Sequence, residues 1–386
     1  MSLQPTLLIL GAGIVGCSTA YYAALRGWSV TVLEQSTAAC AASGKAGGFL
    51  ARSWGSAVTE ELHHKGYDLH KELAQALQLA SYREVSTVAV SRSARKAATS
   101  PLPWLTGSLA PHARTGALEG PTAQVTPREL TLALLQAAVA RGTVVREGVS
   151  ARGLQLDGSS GRVSGVRVRV GQGEGEGEGG EEVLPCTHVC ICMGPWSGHA
   201  AGWVGQRPLP LEGVCSASLV YSAPQAPEWA AAFASAPPTA LFCEDFGRGT
   251  HLEVYPRAAG ELYVCGLGGS ESVPQHALQP TGDRARAEQV APLPARVAAG
   301  RAAVEDLLGA AVGEPSVVQA CLRPLLRDAL PVLSPLGREG SGVFIGAGHN
   351  CWGILWGPIS GKVLVQLMAG EKTDVDLGAF SASRFA

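Results

Sequence analysis

The sequence predicts a two-domain α/β protein: a Rossmann-like domain assembled from separated stretches of chain, with an antiparallel-sheet α+β domain inserted between them. Three observations carry that expectation. An apolar strand at residues 7–10 runs directly into Gly11-Ala12-Gly13-Ile14-Val15-Gly16 and then into a helix-patterned stretch, 17–26. Between about residues 205 and 270 the pattern changes to longer alternating strands, the signature of an antiparallel sheet. Near the C-terminus a strand at 342–345, the turn Gly346-Ala347-Gly348 and a helix over 358–368 repeat the opening arrangement, so the chain returns to its first domain.

The elements follow in order. Gly27 stops the first helix, and 29–33 is a β-branched strand ending at Glu34, which completes a βαβ unit. Residues 36–52 are small and polar. Helical spacing returns over 60–79 and 126–141, with Pro127 suited to a first turn, and a strand follows at Val144 and Val145. The acidic, glycine-rich stretch 171–182 has nothing to bury and reads as a hairpin tip. A strand at 190–192 leads into Met193-Gly194-Pro195-Trp196-Ser197, a hairpin turns at Ala258-Ala259-Gly260, and 284–308 is helical. The division expected is 1–58, 122–204 and 318–386 for the first domain, and 59–121 with 205–317 for the second.

Composition narrows the function. The chain has 386 residues, 46% of them apolar and 16% charged, enough apolar side chain for a large core. A net charge of −2 gives no electrostatic reason to expect nucleic acid or an anionic membrane, so a small-molecule partner is favoured; oligomeric state is not legible. No apolar run is long enough to span a bilayer, and a strand beginning within ten residues of Met1 leaves no room for a leader, which points to a cytoplasmic protein. The ten cysteines read as small buried hydrophobes. Cys190 and Cys192 fall on one strand face with no second ligand pair, so no metal site is expected.

The first glycine-rich loop carries the chemistry. Gly11 permits the tight turn, Gly13 lets backbone amides reach a diphosphate at the positive end of the helix, and Gly16 lets helix and strand pack closely. Glu34 ends the second strand, where a carboxylate accepts both hydroxyl protons of a ribose and repels a 2′-phosphate, which disfavours NADP. Gly175, Gly177 and Gly180 match the same spacing, but in an acidic tract that repels phosphate. The loop alone leaves FAD and NAD open.

Other segments separate them. With Ala42-Ser43-Gly44-Lys45-Ala46-Gly47-Gly48-Phe49, Val125-Thr126-Pro127-Arg128-Glu129-Leu130, Cys192-Met193-Gly194-Pro195-Trp196-Ser197, Arg323-Pro324, Asp328-Ala329-Leu330-Pro331 and Gly346-Ala347-Gly348-His349, nearly the whole chain resembles the D-amino-acid oxidase, glycine oxidase and sarcosine oxidase superfamily of FAD enzymes. Within it, Gly348-His349-Asn350-Cys351-Trp352-Gly353-Ile354-Leu355 looks most like a branch of eukaryotic FAD-dependent oxidoreductases whose substrate the sequence does not name. The resemblance implies FAD contacts from Gly11, Gly13, Ile14, Val15 and Gly16, from Glu34 and Gln35, and from Ser43, Gly44, Lys45, Ala46, Gly47 and Gly48. It extends them to Val149, Gly194, Trp196 and Arg323, and to Gly348, His349, Asn350, Cys351, Trp352, Gly353 and Ile354.

It also implies roles at the substrate. Arg323 occupies the position of an arginine that clamps a substrate carboxylate, and Arg257 matches an arginine on the substrate-domain hairpin. Lys45 is expected beside flavin N5 or a bound water, or on a phosphate; Trp352 and Trp356 are candidates for the cavity wall. His349 is read as a structural hydrogen-bonding group. Cys321 has the spacing of a cysteine that some members attach to flavin, but the Arg-Pro pattern around it favours noncovalent FAD. Residues 251–270 contain no lysine, unlike relatives that use one to speed the reaction with oxygen, so a dehydrogenase or slow oxidase is open. The expected reaction is oxidation of a small amine or amino acid by hydride transfer to flavin N5, giving an imine. The alternatives are a flavin-binding regulatory or scaffold protein without turnover, and an NAD-dependent dehydrogenase.

Overall fold

The computed structural model describes residues 4–95, 102–171, 180–222 and 227–385. The expected hairpin tip has its centre, 172–179, outside the described residues, and with it Gly175 and Gly177 of the second glycine pattern.

Strand β1 (Thr6–Leu10), helix α1 (Ile14–Leu25) and strand β2 (Ser29–Leu33) form the opening βαβ unit. β1 lies between β2 and the strand His188–Ile191, in register Ile9↔Val32 and Ile9↔Cys190. Val144–Arg146 extends the sheet beyond β2, Val343–Ala347 extends it on the other side, and all these pairs are parallel. Val332–Leu336 closes one edge antiparallel, making six strands. Both faces are covered, which is why the strands are apolar almost throughout. Leu7 and Ile9 face α1 and the helices Pro127–Val139 and Gly353–Met368, whereas Leu8 and Leu10 face a three-stranded antiparallel sheet of Val149–Leu156, Val163–Val170 and Glu181–Pro185. Cys190 and Cys192 share a face, with sulfurs 3.6 Å apart. No cluster suited to a metal ion occurs among the described residues.

The C-terminal helix begins at Gly353, five residues before the expected start, and carries Pro358 inside it. Proline has no N–H to give the carbonyl one turn earlier. That carbonyl belongs to Ile354, and His70 Nε2 bonds it at 2.9 Å. The bond ties the helix Glu60–Ala76 to the first domain's core, to which Leu62, Leu69 and Leu73 also contribute. The expected division had placed this helix in the second domain.

The second domain is an eight-stranded sheet, ordered Glu271–Val273, Glu212–Tyr221, Leu262–Cys265, Glu253–Pro256, Thr239–Cys243, Ser86–Arg92 and Ala113–Ala117, with Val317–Leu325 paired along Glu212–Tyr221. Residues 318–325, expected in the first domain, therefore hydrogen-bond into the second. One face packs on the helix Pro294–Leu308 around Trp104 and Trp229. That helix is shorter than the expected 284–308, because Pro292 and Pro294 hold the chain out of helix until its first turn. The opposite face looks back at the first domain.

Candidate active site

Between that face and the C-terminal ends of β1 and β2 lies a cavity of about 500 Å³. One end is built by the first glycine loop. Gly11 has φ +102°, and a Cβ there would stand 2.5 Å from Cys192 O; a Cβ on Gly16 would stand 2.0 Å from Gly11 O. Those two glycines are required by the protein's own packing. Gly13 is different: its backbone is extended, and a Cβ would meet only Ser43, with Oγ nearest at 3.1 Å. The space over Gly13 belongs to the cavity, so the loop leaves room for a ligand where packing did not demand it. Ile14 N–H donates to Ser43 Oγ at 2.9 Å, and the first turn of α1 carries no acidic side chain. The start of α1 is thus set up for an anion.

Glu34 lies in the cavity wall with its carboxylate fixed on both sides. Oε2 accepts from Ala12 N–H and Oε1 from Ser36 N–H, each at 2.9 Å. Burial raises the Glu34 pKa, and the two amide bonds oppose that rise. Val149 donates its N–H to Glu34 O at 2.9 Å, and Val149 and Gln35 line the same end. Met193, Gly194 and Trp196 continue the wall. Gly194 has φ +56°, with no heavy atom within 4 Å of where a Cβ would stand, and Trp196 is held by its Nε1 donating to Arg284 O at 2.8 Å.

At the far end Gly346, Ala347 and residues 349–354 line the cavity, where a second helix, Gly353–Met368, begins without an acidic residue in its first turn. His349 is buried, its pKa pushed down to about 4 by desolvation, and is bonded through Nε2 to Ser360 Oγ at 2.9 Å, in keeping with a structural role. Trp352 lines the wall, edge-on to His63 at 4.5 Å; Trp356 stands behind it, buried. Arg323 reaches the wall from Val317–Leu325. Its Nε donates to Ser216 Oγ at 3.0 Å and its Nη1 to Asn350 Oδ1 at 2.8 Å, leaving Nη2 without a partner among the described residues. Asp328, the acid nearest to it in sequence, pairs instead with Arg384 at 2.7 Å.

Of the residues expected at the cofactor, Ser43, Ala46, Gly47 and Gly48 line the cavity, but Gly44, Gly348 and Lys45 do not. Lys45 closes a four-residue helical turn and points its ammonium at Ala320 O, 3.1 Å away, fastening that turn to the second domain's sheet. Arg257 is likewise outside the wall. It is 9% exposed, lies over the Tyr263 ring at 5.0 Å, pairs with Glu261 at 3.4 Å and donates to Ala46 O at 3.3 Å. The hairpin arginine thus joins the two domains rather than facing a substrate. Cys321 does line the cavity, and burial pushes its thiol up to about 11.

Several wall residues escaped the sequence reading. Phe49, Trp54, Phe242, Tyr255 and Tyr263 form an aromatic wall beside Glu253 and Cys265. For the hairpin's four, Glu253, Tyr255, Tyr263 and Cys265, the signal was available: in a two-stranded hairpin, alternate residues share a face. The register Glu253↔Cys265 and Tyr255↔Tyr263 puts all four on the cavity side, with Val254, Leu262 and Val264 in the core behind.

Comparison with known proteins agrees with this geometry. A family model described as FAD dependent oxidoreductase, abbreviated DAO, matches residues 6–367. A Schizosaccharomyces pombe protein named as an oxidoreductase is 26% identical over 407 aligned residues, covering 98% of each chain. Among solved structures, L-amino acid deaminase from Proteus myxofaciens in complex with anthranilate superposes with a TM-score of 0.76 at 20% identity, covering 100% of this chain and 94% of its own. Glycine oxidase from Geobacillus kaustophilus gives 0.75 at 20% identity, with 99% of both chains covered. At those identities the likeness is one of fold.

Proposed function

Since the chain belongs to the DAO family of FAD-dependent oxidoreductases, we propose that it oxidises the amine-bearing carbon of a small amine or amino acid whose carboxylate is held by Arg323. FAD is the cofactor, which sets aside the NAD-dependent alternative, and noncovalent binding is favoured. In this reading the diphosphate lies over Gly11–Gly16 at the start of α1, the ribose against Glu34, and the flavin toward residues 349–354. The chemistry FAD supplies when bound is acceptance of a hydride from the substrate carbon, which leaves an imine that water hydrolyses.

The protein's part is placement and dryness. Ser216 and Asn350 each hold one edge of the Arg323 guanidinium, so the side chain is oriented before a ligand arrives and loses less freedom on binding. The unpartnered Nη2 and the remaining Nη1 proton can then take a carboxylate end-on. The aromatic wall excludes water from the reacting carbon. No acid–base side chain is invoked, because the amine enters neutral and His349 is committed to Ser360.

The observation that supports this reading most is Arg323 in the cavity wall, anchored twice and not paired to an acid. Arg323→Leu tests it. A charge-assisted hydrogen bond is worth about 1.5–3 kcal/mol, so loss of two should lower kcat/KM for a carboxylate substrate at least about 100-fold. Turnover of carboxylate substrates equal to that of the parent would refute the clamp.

A further inference from the structure

We infer that Glu253 is a second charge-recognition residue of the cavity and that the substrate class is an amino acid carrying a cationic group at the end of its side chain. The inference rests on the proposed function and deepens it.

Glu253 is half-buried in a wall otherwise made by Phe49, Trp54, Phe242, Tyr255 and Tyr263. Its Oε2 accepts from Cys265 Sγ at 3.5 Å and from Tyr255 OH, both neutral donors. No lysine, arginine or histidine pairs with it among the described residues. A carboxylate taken out of water against aromatic rings is costly unless a cation or several hydrogen bonds compensate it. Other acids around the molecule have such partners: Asp68 has Arg52, Glu371 has Arg26, and Asp328 has Arg384. Glu253 faces the cavity instead, where a ligand can supply the missing charge. The rings beside it favour the same sign, since aromatic faces attract ammonium groups.

The topology says which cation. Glu253–Pro256, Leu262–Cys265, Glu212–Tyr221 and Val317–Leu325 are successive strands, so Glu253 and Arg323 stand on one sheet face three strand spacings apart. The registers put Glu253 in the cross-strand row of Gln319, four residues from Arg323 along that strand; with about 4.8 Å per spacing and about 3.3 Å per residue, their backbones are separated by on the order of 20 Å. The α-amino group of an amino acid is bonded to the carbon that carries the carboxylate, so a carboxylate on Arg323 keeps it at the Arg323 end. A positive group that reaches Glu253 is therefore on the far end of the substrate. An acidic side chain would meet Glu253 with the same sign and be rejected.

Three racemic probes of equal main-chain length separate the possibilities: lysine, norleucine and 2-aminoadipate, ending in an ammonium, a methyl and a carboxylate. Each is titrated into the FAD-loaded protein without oxygen, reading the shift of the flavin spectrum for Kd and its bleaching for reduction. Lysine is expected to bind at least about tenfold more tightly than norleucine, with 2-aminoadipate weakest, and Glu253→Gln is expected to narrow the lysine-to-norleucine ratio by about the same factor. Equal Kd values for lysine and norleucine in the parent overturn the Glu253 assignment even if both bleach, as does a ratio unchanged in a Glu253→Gln protein with parental FAD content. Because the parent's own ratio decides, the inference is tested even if the variant folds poorly. If none of the three, nor any simpler amine or amino acid, bleaches the flavin, the proposed function fails and the inference falls with it.

Discussion

The contrast between Gly13 and Gly16 tests where the cofactor lies without relying on turnover. In Gly16→Ala the new methyl would stand 2.0 Å from Gly11 O, a backbone atom held by the tight turn. The loop must shift, at a cost typical of overpacking, about 1–3 kcal/mol. In Gly13→Ala the methyl meets only Ser43, whose hydroxyl is nearest at 3.1 Å, on backbone that any residue adopts. The stability of the apoprotein should then change by less than about 1 kcal/mol. The diphosphate, however, must approach over that position, and loss of even one amide bond to a charged oxygen is worth about 1.5–3 kcal/mol. FAD affinity should therefore fall at least about tenfold in Gly13→Ala. Urea unfolding of the apoproteins measures the first quantity, and titration of FAD fluorescence measures the second. A Gly13→Ala protein that binds FAD as the parent does would refute a diphosphate over this loop. One that unfolds as easily as Gly16→Ala would refute the claim that the space above Gly13 is reserved for a ligand.

The other predictions concern pH, Arg257 and Cys321. Burial holds both His70 and His349 at about 4 against an ordinary value of 6.5, so the unfolded chain takes up these protons first as pH falls. Their contribution is complete above pH 6.5 and is lost as pH drops toward 4, on the order of 3 kcal/mol for each; His70→Gln, which keeps a donor for Ile354 O, should flatten the fall in urea midpoint, and an unchanged slope would exclude His70 as a source. Arg257→Met should destabilise the protein by about 1–3 kcal/mol in thermal or urea unfolding while the Kd of a carboxylate ligand stays as it was, because the side chain joins the hairpin to Ala46 O; the reverse pattern would return Arg257 to the substrate. With its thiol pushed to about 11, Cys321 is scarcely ionised near neutrality, so acid precipitation should leave the flavin in the supernatant, and a yellow pellet would show a covalent bond.

Much of the architecture was legible because it rests on local rules. The βαβ unit announces itself through an apolar strand, three glycines and Glu34, and each of these lies where the motif requires. Arg323 was also found, though what orients it was not: Ser216 and Asn350 come from other segments, and only the sheet register and the left-handed turn at Asn350, φ +48°, bring them to the guanidinium. Lys45 shows the limit of reading a segment by composition. Its neighbours Ala46 and Gly47 do face the cavity, but in a single helical turn the next side chain points elsewhere, and the carbonyl of Ala320 was there to receive it. The last helix starts before the expected residue 358 because the structure keeps Pro358 inside it, where His70 satisfies the carbonyl the proline orphans. Tyr255 and Glu253 were legible by alternation, but which face of the hairpin met the cavity depended on contacts distant in sequence.

Whether this cavity oxidises a carbon bearing an amine is decided by anaerobic titration of the purified, FAD-loaded protein with a panel of amines and amino acids, following the yellow flavin band. At least one amino acid should bleach the band in proportion to the amount added, and Arg323→Leu should blunt the response to carboxylate-bearing compounds. A flavin that stays oxidised with every member of the panel would mean instead that the protein keeps its cofactor without turning over an amine.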